Sequence, residues 1–234
     1  MADHTIQQCI EVARKAGLVV APKKFSTQYL KKYNFQAKTI VDVGVFAGTE
    51  PLYRLFPDCH FVLVDPVPGC EEQTRKVWPS LYMDFFPCAA GAASGEAEFL
   101  IHDDYRWFSG FFPRMDDKAG AKSLQVKVER LDSILSAQKY ARPFGVKIDV
   151  EGFELQVLEG LGALASDVEF FIIESQIKRV FEKTDYFSDL IIKMKDIGFE
   201  LADILNIFHG QPVAFDCLFL KKGDLRFGVQ PETA

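Results

Sequence analysis

The sequence predicts an α/β protein in which helices cover a mainly parallel sheet. Short apolar stretches rich in β-branched residues recur along the chain and indicate buried strands. Stretches with helical spacing separate them, as expected for strand–helix–strand units. An acidic residue closes each of four predicted strands, namely Asp42, Asp65, Asp149 and Glu174. A chain of 234 residues with a hydrophobic fraction of 48% suits one such domain.

The first strand leads through a glycine-containing turn into a helix. The turn has the pattern Asp42-x-Gly44-x-x-x-Gly48, and Thr49 or Glu50 is placed to cap the helix. Dinucleotide sites need the pattern G-x-G-x-x-G, which this turn lacks. A carboxylate here repels phosphate and attracts cations, and S-adenosylmethionine carries an ammonium and a sulfonium without a phosphate. An ordinary strand–helix turn with a capping aspartate is the alternative.

The composition of the chain limits the classes of partner and the cellular compartment that we expect. A formal net charge of −6 and a pI of about 5.3 argue against a nucleic-acid partner. The sequence shows no signal-peptide pattern and no apolar run of membrane-spanning length, so we expect a cytoplasmic protein without membrane contact. Five scattered cysteines indicate free thiols rather than disulfides or a zinc site: Cys9, Cys59, Cys70, Cys88 and Cys217.

The first 37 residues are expected to form a helical segment that packs on the sheet, ahead of the main domain at residues 38–234. One helix over residues 4–16 ends at Gly17, and Ser26 is a suitable cap for a second helix. The two helices either form a lid or buttress, or merely cover the edge of the sheet.

The second and third strands carry candidate nucleoside contacts. Asp65 ends the second strand, 23 residues after Asp42, and Pro66 follows it. An acidic residue at this position can accept both ribose hydroxyls of an adenosine cofactor, whether NAD or S-adenosylmethionine. The third strand is predicted from Tyr82 to Ala90, where small residues let an adenine ring lie flat. The alternatives are a turn-forming aspartate and simple close packing.

A long aromatic segment at residues 102–116 separates two further predicted strands, at 97–101 and 124–130. A connection of this length is unusual unless it has a function. It is either a lid that faces the substrate or a hydrophobic plug on the edge of the sheet.

The second informative stretch runs from residue 145 to residue 160. Residues 146–150 are predicted as a strand, followed by a turn and a helix over residues 153–161. Asp149 and Glu151 therefore lie at the carboxyl edge of a central strand. Lys147 has apolar neighbours, so we expect it to pair with a carboxylate.

The last strands complete the sheet. Residues 168–174 form a strand that ends at Glu174. Residues 199–207 and 213–220 then indicate two strands joined by a short turn with His209 and Gly210, so the last strand is expected to run antiparallel.

Four blocks together resemble the FkbM-type methyltransferases, which depend on S-adenosylmethionine. The third block is the most specific, and the resemblance covers roughly residues 38–221. The blocks are Ile40-Val-Asp-Val-Gly-Val45 with Gly48-Thr49, Leu131-Asp132, Lys147-Ile-Asp-Val-Glu-Gly-Phe-Glu154 with Val157-Leu-Glu-Gly160, and Phe215-Asp-Cys-Leu-Phe219.

The resemblance implies a Rossmann-like class I methyltransferase sheet of order 3-2-1-4-5-7-6 with an antiparallel last strand. It implies that Asp42 and Gly44 border the methionine part of the cofactor and that Asp65 binds the ribose. The full set of expected cofactor contacts is Asp42, Gly44, Phe46, Thr49, Asp65, Pro66 and Ala90. Phe46 departs from the family turn, where Gly or Asn is frequent, and is expected to wall the pocket. Family members mostly methylate hydroxyls of sugars and of sugar-containing or macrolide natural products.

Transfer of a methyl group to a hydroxyl is helped by a base, because a hydroxyl is a poor nucleophile until its proton starts to leave. Asp149 and Glu151 are the first candidates, followed by Glu174. The alternative is that Glu151 and Glu174 only form structural ion pairs with Lys147 and Arg179. Oxygen ligands at this edge could instead hold Mg²⁺, which would bind and acidify substrate hydroxyls.

Other classes of function stay open at this point. An NAD-dependent oxidoreductase lacks support because the glycine pattern is missing. A non-catalytic nucleoside-binding module of the same fold would bind the cofactor without transferring a methyl group. A protein or RNA methyltransferase is also conceivable, although the acidic composition disfavours RNA.

Overall fold

A seven-stranded sheet forms the centre of the protein. The computed structural model describes residues 2–18, 20–102, 109–115, 120–137, 139–206 and 213–228. The strands are β1 Thr39–Val43, β2 His60–Val64, β3 Met83–Phe86, β4 Ala89–Ala90, β5 Gly95–Ile101, β6 Lys122–Glu129, β7 Phe144–Ile148, β8 Val168–Gln176, β9 Phe199–Ile204 and β10 Ala214–Lys221. The helices are α1 Ala2–Lys15, α2 Thr27–Leu30, α3 Glu50–Leu55, α4 Cys70–Val77, α5 Leu131–Ala137, α6 Glu154–Leu161 and α7 Phe187–Asp196, with 3₁₀-helices at Lys31–Tyr33, Gly162–Asp167 and Leu225–Phe227.

The strand order of the main sheet is β3-β2-β1-β7-β8-β10-β9. Strands β3, β2, β1, β7 and β8 are parallel to their neighbours, whereas β10 runs antiparallel to both β8 and β9. This arrangement confirms the predicted order, with its last strand reversed. It also confirms that the carboxyl ends of β1, β2, β7 and β8 lie at one edge.

Both faces of the sheet are buried, which explains why its central strands are apolar along their whole length. All five residues of β1 and all five of β7 are buried. Along β1 the side chains alternate, so that Val41 and Val43 belong to the core under α5, α6 and α7, and Ile40 belongs to the core under α2 and α3. The two cores fix the geometry of the sheet edge at which these strands end.

The predicted third strand is two strands in two different sheets. β3 ends at Phe86 and pairs with β2, and β4 then pairs with β6. Pro87 lies between them and cannot donate a ladder hydrogen bond, and the amide of Cys88 turns back to the carbonyl of Phe86. β4, β6 and β5 form a separate three-stranded sheet that the sequence did not indicate. The prediction of one continuous strand over residues 82–90 is therefore wrong.

The N-terminal segment separates into two parts. In α1 the side chains of Ile6 and Val12 are 57% and 68% exposed. α2 begins after Ser26, whose hydroxyl accepts a hydrogen bond from the amide of Tyr29, as predicted. The hydroxyls of Tyr29 and Tyr33 each donate to Asp203 in β9 across 2.7 Å. The residues around α2 are thus fastened to the sheet edge beside β9.

Some predicted features lie outside the described residues. These are residues 103–108 and 116 of the aromatic segment, the turn with His209 and Gly210, and residues 229–234. Among the helices that the structure describes, no helix has both the length and the apolar character that crossing a bilayer requires.

Candidate active site

A cavity of about 1110 Å³ opens at the carboxyl edge of the main sheet. Its walls are formed by the turns after β1 and β2, the end of β4, the carboxyl ends of β7 and β8, and the start of β10. Nine of the ten residues singled out from the sequence line it: Gly44, Phe46, Thr49, Asp65, Pro66, Ala90, Asp149, Glu151 and Glu174. The structure therefore brings together side chains that are up to 130 residues apart in the sequence.

Asp42 is the exception, because it is fully buried and does not line the cavity. The hydroxyl of Tyr53 donates to its Oδ2 across 2.7 Å, and its Oδ1 lies 4.0 Å from the ammonium of Lys147. Lys147 lines the cavity and donates to Asp149 Oδ2 across 2.8 Å. Asp42 is thus placed behind Lys147, where it can position that ammonium but not contact a ligand directly.

Neighbouring carboxylates hold the buried ammonium of Lys147 in its charged form. Burial alone lowers the pKa of a lysine, but the carboxylates of Asp149 and Asp42 raise the pKa of Lys147 above its usual range. Burial also raises the pKa of Asp42, against the opposing effect of Lys147. The prediction that Lys147 pairs with a carboxylate is confirmed.

The turn after β1 depends on Gly44. Its φ is +82°, and a Cβ at this position would lie 1.7 Å from the backbone carbonyl oxygen of Asp149. The amide of Asp149 meanwhile donates to the carbonyl of Val43 across 2.9 Å. Only glycine allows the β1 turn and the end of β7 to approach this closely. Phe46 lies two residues further on, with a φ of +47°, and lines the cavity.

Asp65 joins the turns after β1 and β2. The amides of Val45 and Phe46 donate to its Oδ2 across 2.9 and 3.0 Å, and the amide of Val67 donates to its Oδ1 across 2.8 Å. Burial raises the pKa of Asp65, and these donors oppose that shift. The thiol of Cys70 is a fourth hydrogen-bond partner, so the roughly four acceptor positions of this carboxylate are occupied within the protein. The bidentate contact of Asp65 with two ribose hydroxyls stays a prediction.

The wall beside Ala90 is largely apolar. Ala89, Ala90 and Phe99 line the cavity. Ala89 and Phe99 belong to a smaller core built on β4, β5 and β6, and Ala90 belongs to the core under α5, α6 and α7. From the aromatic segment, Ser109, Phe111, Arg114 and Met115 also line the cavity. The described part of that segment therefore contributes to the wall, and its closure over a substrate stays a prediction.

Three carboxylates converge on the opposite side of the cavity. Asp149, Glu151 and Glu174 each offer an oxygen, and these oxygens lie within 4.8 Å of one another. Glu151 has a φ of +56°, which is unusual for a residue other than glycine and is characteristic of strained functional sites. Glu174 lies within β8, which extends two residues beyond the predicted end.

Burial and the close approach of neighbouring acids disfavour the ionisation of Glu151 and Glu174. Burial, together with the charges of Asp149 and Glu154, raises the pKa of Glu151 well above its usual range. The charge of Asp149 and burial do the same to the pKa of Glu174. The alternative, in which Glu151 and Glu174 form ion pairs with Lys147 and Arg179, is not seen among the described residues. Lys147 bonds to Asp149, and the Nε of Arg179 donates to the hydroxyl of Tyr186.

Glu154 holds the strained turn that presents Glu151. Its buried Oε1 accepts hydrogen bonds from the amides of Val150 and Gly152 across 3.2 and 3.1 Å. Burial raises the pKa of Glu154 to about 7. Glu154 belongs to the most specific of the four blocks that resemble the FkbM-type methyltransferases. Its role could not be predicted, because a side chain that bonds back to its own turn leaves no recognisable pattern in the sequence.

Sequence reasoning missed three polar side chains of the cavity. Gln176 in β8, Asp216 in β10 and Asn206 after β9 all line it. Asp216 pairs directly across from Glu174 in the sheet, and Gln176 follows Glu174 by two residues. The period-two alternation of β8 could have placed Gln176 on the face of Glu174, had the strand been extended beyond Glu174.

The residues present fit S-adenosylmethionine. The cluster of acids at the end of β7 and β8 favours a cationic ligand, since burial and mutual repulsion raise the pKa values of Glu151 and Glu174 and a positive charge relieves the repulsion. Asp65 lines the cavity next to the β1 turn, and the apolar wall at Ala90 suits an aromatic ring. Of the predicted contacts, Gly44, Phe46, Thr49 and Pro66 would complete the cofactor half of the cavity.

The sheet order with its one reversed strand is that of the Rossmann-like class I methyltransferases. The profile of the FkbM methyltransferase domain matches residues 42–201. The chain therefore belongs to the FkbM methyltransferase family, whose members depend on S-adenosylmethionine. This membership leaves the NAD-dependent alternative without support. A search of curated protein sequences found no match.

Several solved structures are similar to this chain. Magnesium protoporphyrin IX methyltransferase ChlM from Synechocystis PCC 6803, with bound S-adenosylmethionine, shares 14% identity over 84% of this chain and 76% of its own, with a TM-score of 0.47. N-methyltransferase NodS from Bradyrhizobium japonicum WM9 shares 9% identity over 84% and 92%, with a TM-score of 0.48. A methyltransferase from Clostridium acetobutylicum ATCC 824 shares 8% identity over 95% and 100%, with a TM-score of 0.47. At these values the similarities carry no inference about substrate.

Proposed function

We propose that the protein is an O-methyltransferase that methylates a hydroxyl of a sugar or of a glycosylated small molecule. The observation that carries this proposal is the single cavity that joins the Asp65 turn to the carboxylates Asp149, Glu151 and Glu174. A nucleoside-type site and a cluster of candidate bases thus share one cavity. The sugar class of the acceptor comes from the resemblance to family members.

The residues of the cavity have different roles in the proposed reaction. S-adenosylmethionine, when bound, supplies an electrophilic methyl group. Asp65 and the β1 turn orient the nucleoside part, and the apolar walls exclude water. Glu151 accepts the proton of the acceptor hydroxyl as the new bond to oxygen forms, because burial raises its pKa toward the range in which a carboxylate is an effective base. Lys147 holds Asp149 in place across 2.8 Å.

The same three carboxylates are the residues that would hold Mg²⁺, since oxygen ligands suit that ion. Lys147 already neutralises one side of Asp149, which weakens this alternative. Full activity after dialysis against excess EDTA would exclude it. Loss of activity that Mg²⁺ restores would instead assign the three carboxylates to the metal.

Thermal unfolding tests the cofactor assignment first. S-adenosylhomocysteine at about 100 times its dissociation constant is expected to stabilise the protein by about 2.7 kcal/mol, whereas NAD⁺ gives no shift. Asp65→Ala should abolish the shift. A shift with NAD⁺ alone would overturn the methyltransferase proposal, and a shift without methyl transfer to any hydroxyl would leave a binding module.

We place the activity in the cytoplasm. All five cysteines are free thiols, as expected for a protein of a reducing compartment.

A further inference from the structure

The side chain of Gln176 is a buried amide with unused hydrogen-bonding capacity. It is only 4% exposed, yet it lines the cavity. Its Oε1 has no hydrogen-bond partner among the described residues. Leaving a buried polar atom unpaired costs about 1–3 kcal/mol, so such atoms in native proteins call for an explanation. A ligand that donates a hydrogen bond at this place explains it.

Gln176 belongs to a row of polar groups across two strands. Glu174 and Gln176 lie on the same face of β8, and Asp216 in the adjacent β10 pairs directly with Glu174. Asn206 is held against Asp216, because its Oδ1 accepts from the amide of Asp216 across 2.7 Å and its Nδ2 donates to the carboxylate Oδ2 of that residue. The carboxamide of Gln176, the carboxylate of Asp216 that Asn206 holds, and the acidic cluster therefore all face the same cavity.

This row lies away from the cofactor half of the cavity. Neighbouring strands are about 4.8 Å apart, so β8 is about 14 Å from β2, the strand that ends at Asp65. β10 lies one strand further out. The nucleoside contacts and the row of Gln176, Asn206 and Asp216 are thus at opposite ends of the cavity, with the candidate bases between them.

We propose that Gln176, Asn206 and Asp216 form a hydroxyl-recognition subsite, which binds a second hydroxyl of the acceptor while a neighbouring hydroxyl faces Glu151. The inference rests on the proposed O-methyltransferase function and specifies its acceptor as a polyol, such as a pyranoside. Carboxamide and carboxylate groups supply both donors and acceptors, which is what a pair of adjacent hydroxyls requires. Sites built to bind a hydroxyl reject analogues that lack it, often by factors of about 10⁴–10⁵.

The test compares wild-type protein with Gln176→Met, which keeps the length of the side chain and removes the amide. Methyl transfer from labelled S-adenosylmethionine is measured with methyl glycosides of glucose, mannose, galactose and rhamnose, and with cyclohexanol as an acceptor that has one hydroxyl. We expect the glycosides to be methylated in preference to cyclohexanol. We expect Gln176→Met to raise the acceptor KM at least tenfold, with an unchanged KM for S-adenosylmethionine and an unchanged thermal shift with S-adenosylhomocysteine.

Stability gives an independent readout. Because the Oε1 of Gln176 is unpaired, Gln176→Met should melt at the same temperature as wild type or higher. Gln125→Met, at an exposed position of β6, is the matched control and should change neither the acceptor KM nor the melting temperature. A variant that fails to fold would show that the amide carries a structural bond, and would overturn the inference.

Three further outcomes separate the two proposals. A wild-type protein that binds S-adenosylhomocysteine but methylates none of the glycosides overturns the proposed sugar O-methylation, and this inference with it. A wild-type protein that methylates a glycoside, with an unaltered acceptor KM in Gln176→Met, overturns the subsite alone. Loss of the S-adenosylhomocysteine shift in Gln176→Met also overturns it, since Gln176 would then belong to the cofactor half.

Discussion

Lys147 donates to Asp149 across 2.8 Å at the end of β7, and the same ammonium faces the fully buried Asp42. Removing one partner of a buried ion pair leaves an uncompensated charge, which costs about 3–5 kcal/mol. We therefore expect Lys147→Met to lower the free energy of unfolding by about 3 kcal/mol, as measured by urea denaturation. Lys15→Met, which breaks the exposed pair of Lys15 and Glu11, should change it by less than about 1 kcal/mol. Equal effects of the two substitutions would contradict the buried role of Lys147.

Glu151 is expected to act as the base. Glu151→Gln keeps the shape of the side chain and removes its ability to accept a proton, so turnover should fall by roughly 10²–10⁴. The thermal shift with S-adenosylhomocysteine should persist. Glu159→Gln, at an exposed position of α6, serves as the control. Unchanged turnover in Glu151→Gln would reject Glu151 as base and direct attention to Asp149 and Glu174.

The contribution of Asp216 to the stability of the protein without cofactor should fall as the pH rises from 4 to 8. Burial and the charge of Asp149 raise the pKa of Asp216 to about 7. Because this folded-state pKa lies above the unfolded value, the protonated form favours folding, and that contribution is lost as the pH rises through about 7. Asp216→Asn should therefore be more stable than wild type at pH 8, by on the order of 3 kcal/mol, and equally stable at pH 4. Urea denaturation at both pH values checks this, and a difference that does not depend on pH would contradict it.

Gly44 should tolerate no side chain. Gly44→Ala combines a left-handed φ with a Cβ placed against the carbonyl of Asp149, so we expect a loss of about 3 kcal/mol in the free energy of unfolding. Gly198 has a similar φ of +87° with nothing within 4 Å of its Cβ position, and Gly198→Ala should cost only about 1 kcal/mol. Similar losses in the two variants would show that backbone strain alone, and not the approach of β7, makes Gly44 necessary.

Most strands of the main sheet could be predicted because they depend on features that are local in the sequence, whereas their order was implied by the resemblance to the FkbM-type methyltransferases. Apolar runs marked the strands, and four of the parallel strands, β1, β2, β7 and β8, were predicted to end in an acid close to where the structure ends them. The break at Pro87 was missed because residues 82–90 are apolar apart from Asp84. Only the partner strands, β2 for one half and β6 for the other, show that they belong to two sheets.

The candidate site was predictable where it is built from strand ends. Asp149, Glu151 and Glu174 follow from that rule, and the structure gathers them. Gln176 was missed because the predicted strand ended at Glu174, two residues before the end of β8. Asn206 and Asp216 were missed because their place beside Glu174 depends on the register of β10 against β8, which has no local signature. The burial of Asp42 depends in the same way on Tyr53 and Lys147, which approach it from α3 and β7.

The position of β10 also determines when the sheet can be completed during translation. β8 and β9 leave the ribosome before residues 214–221, yet β9 reaches the sheet only through β10. Until β10 is made, the apolar edge of β8 from Phe170 to Gln176 has no partner on that side. Unpaired strand edges promote aggregation, so the nascent chain needs protection over this interval, and a product truncated before residue 214 would be insoluble.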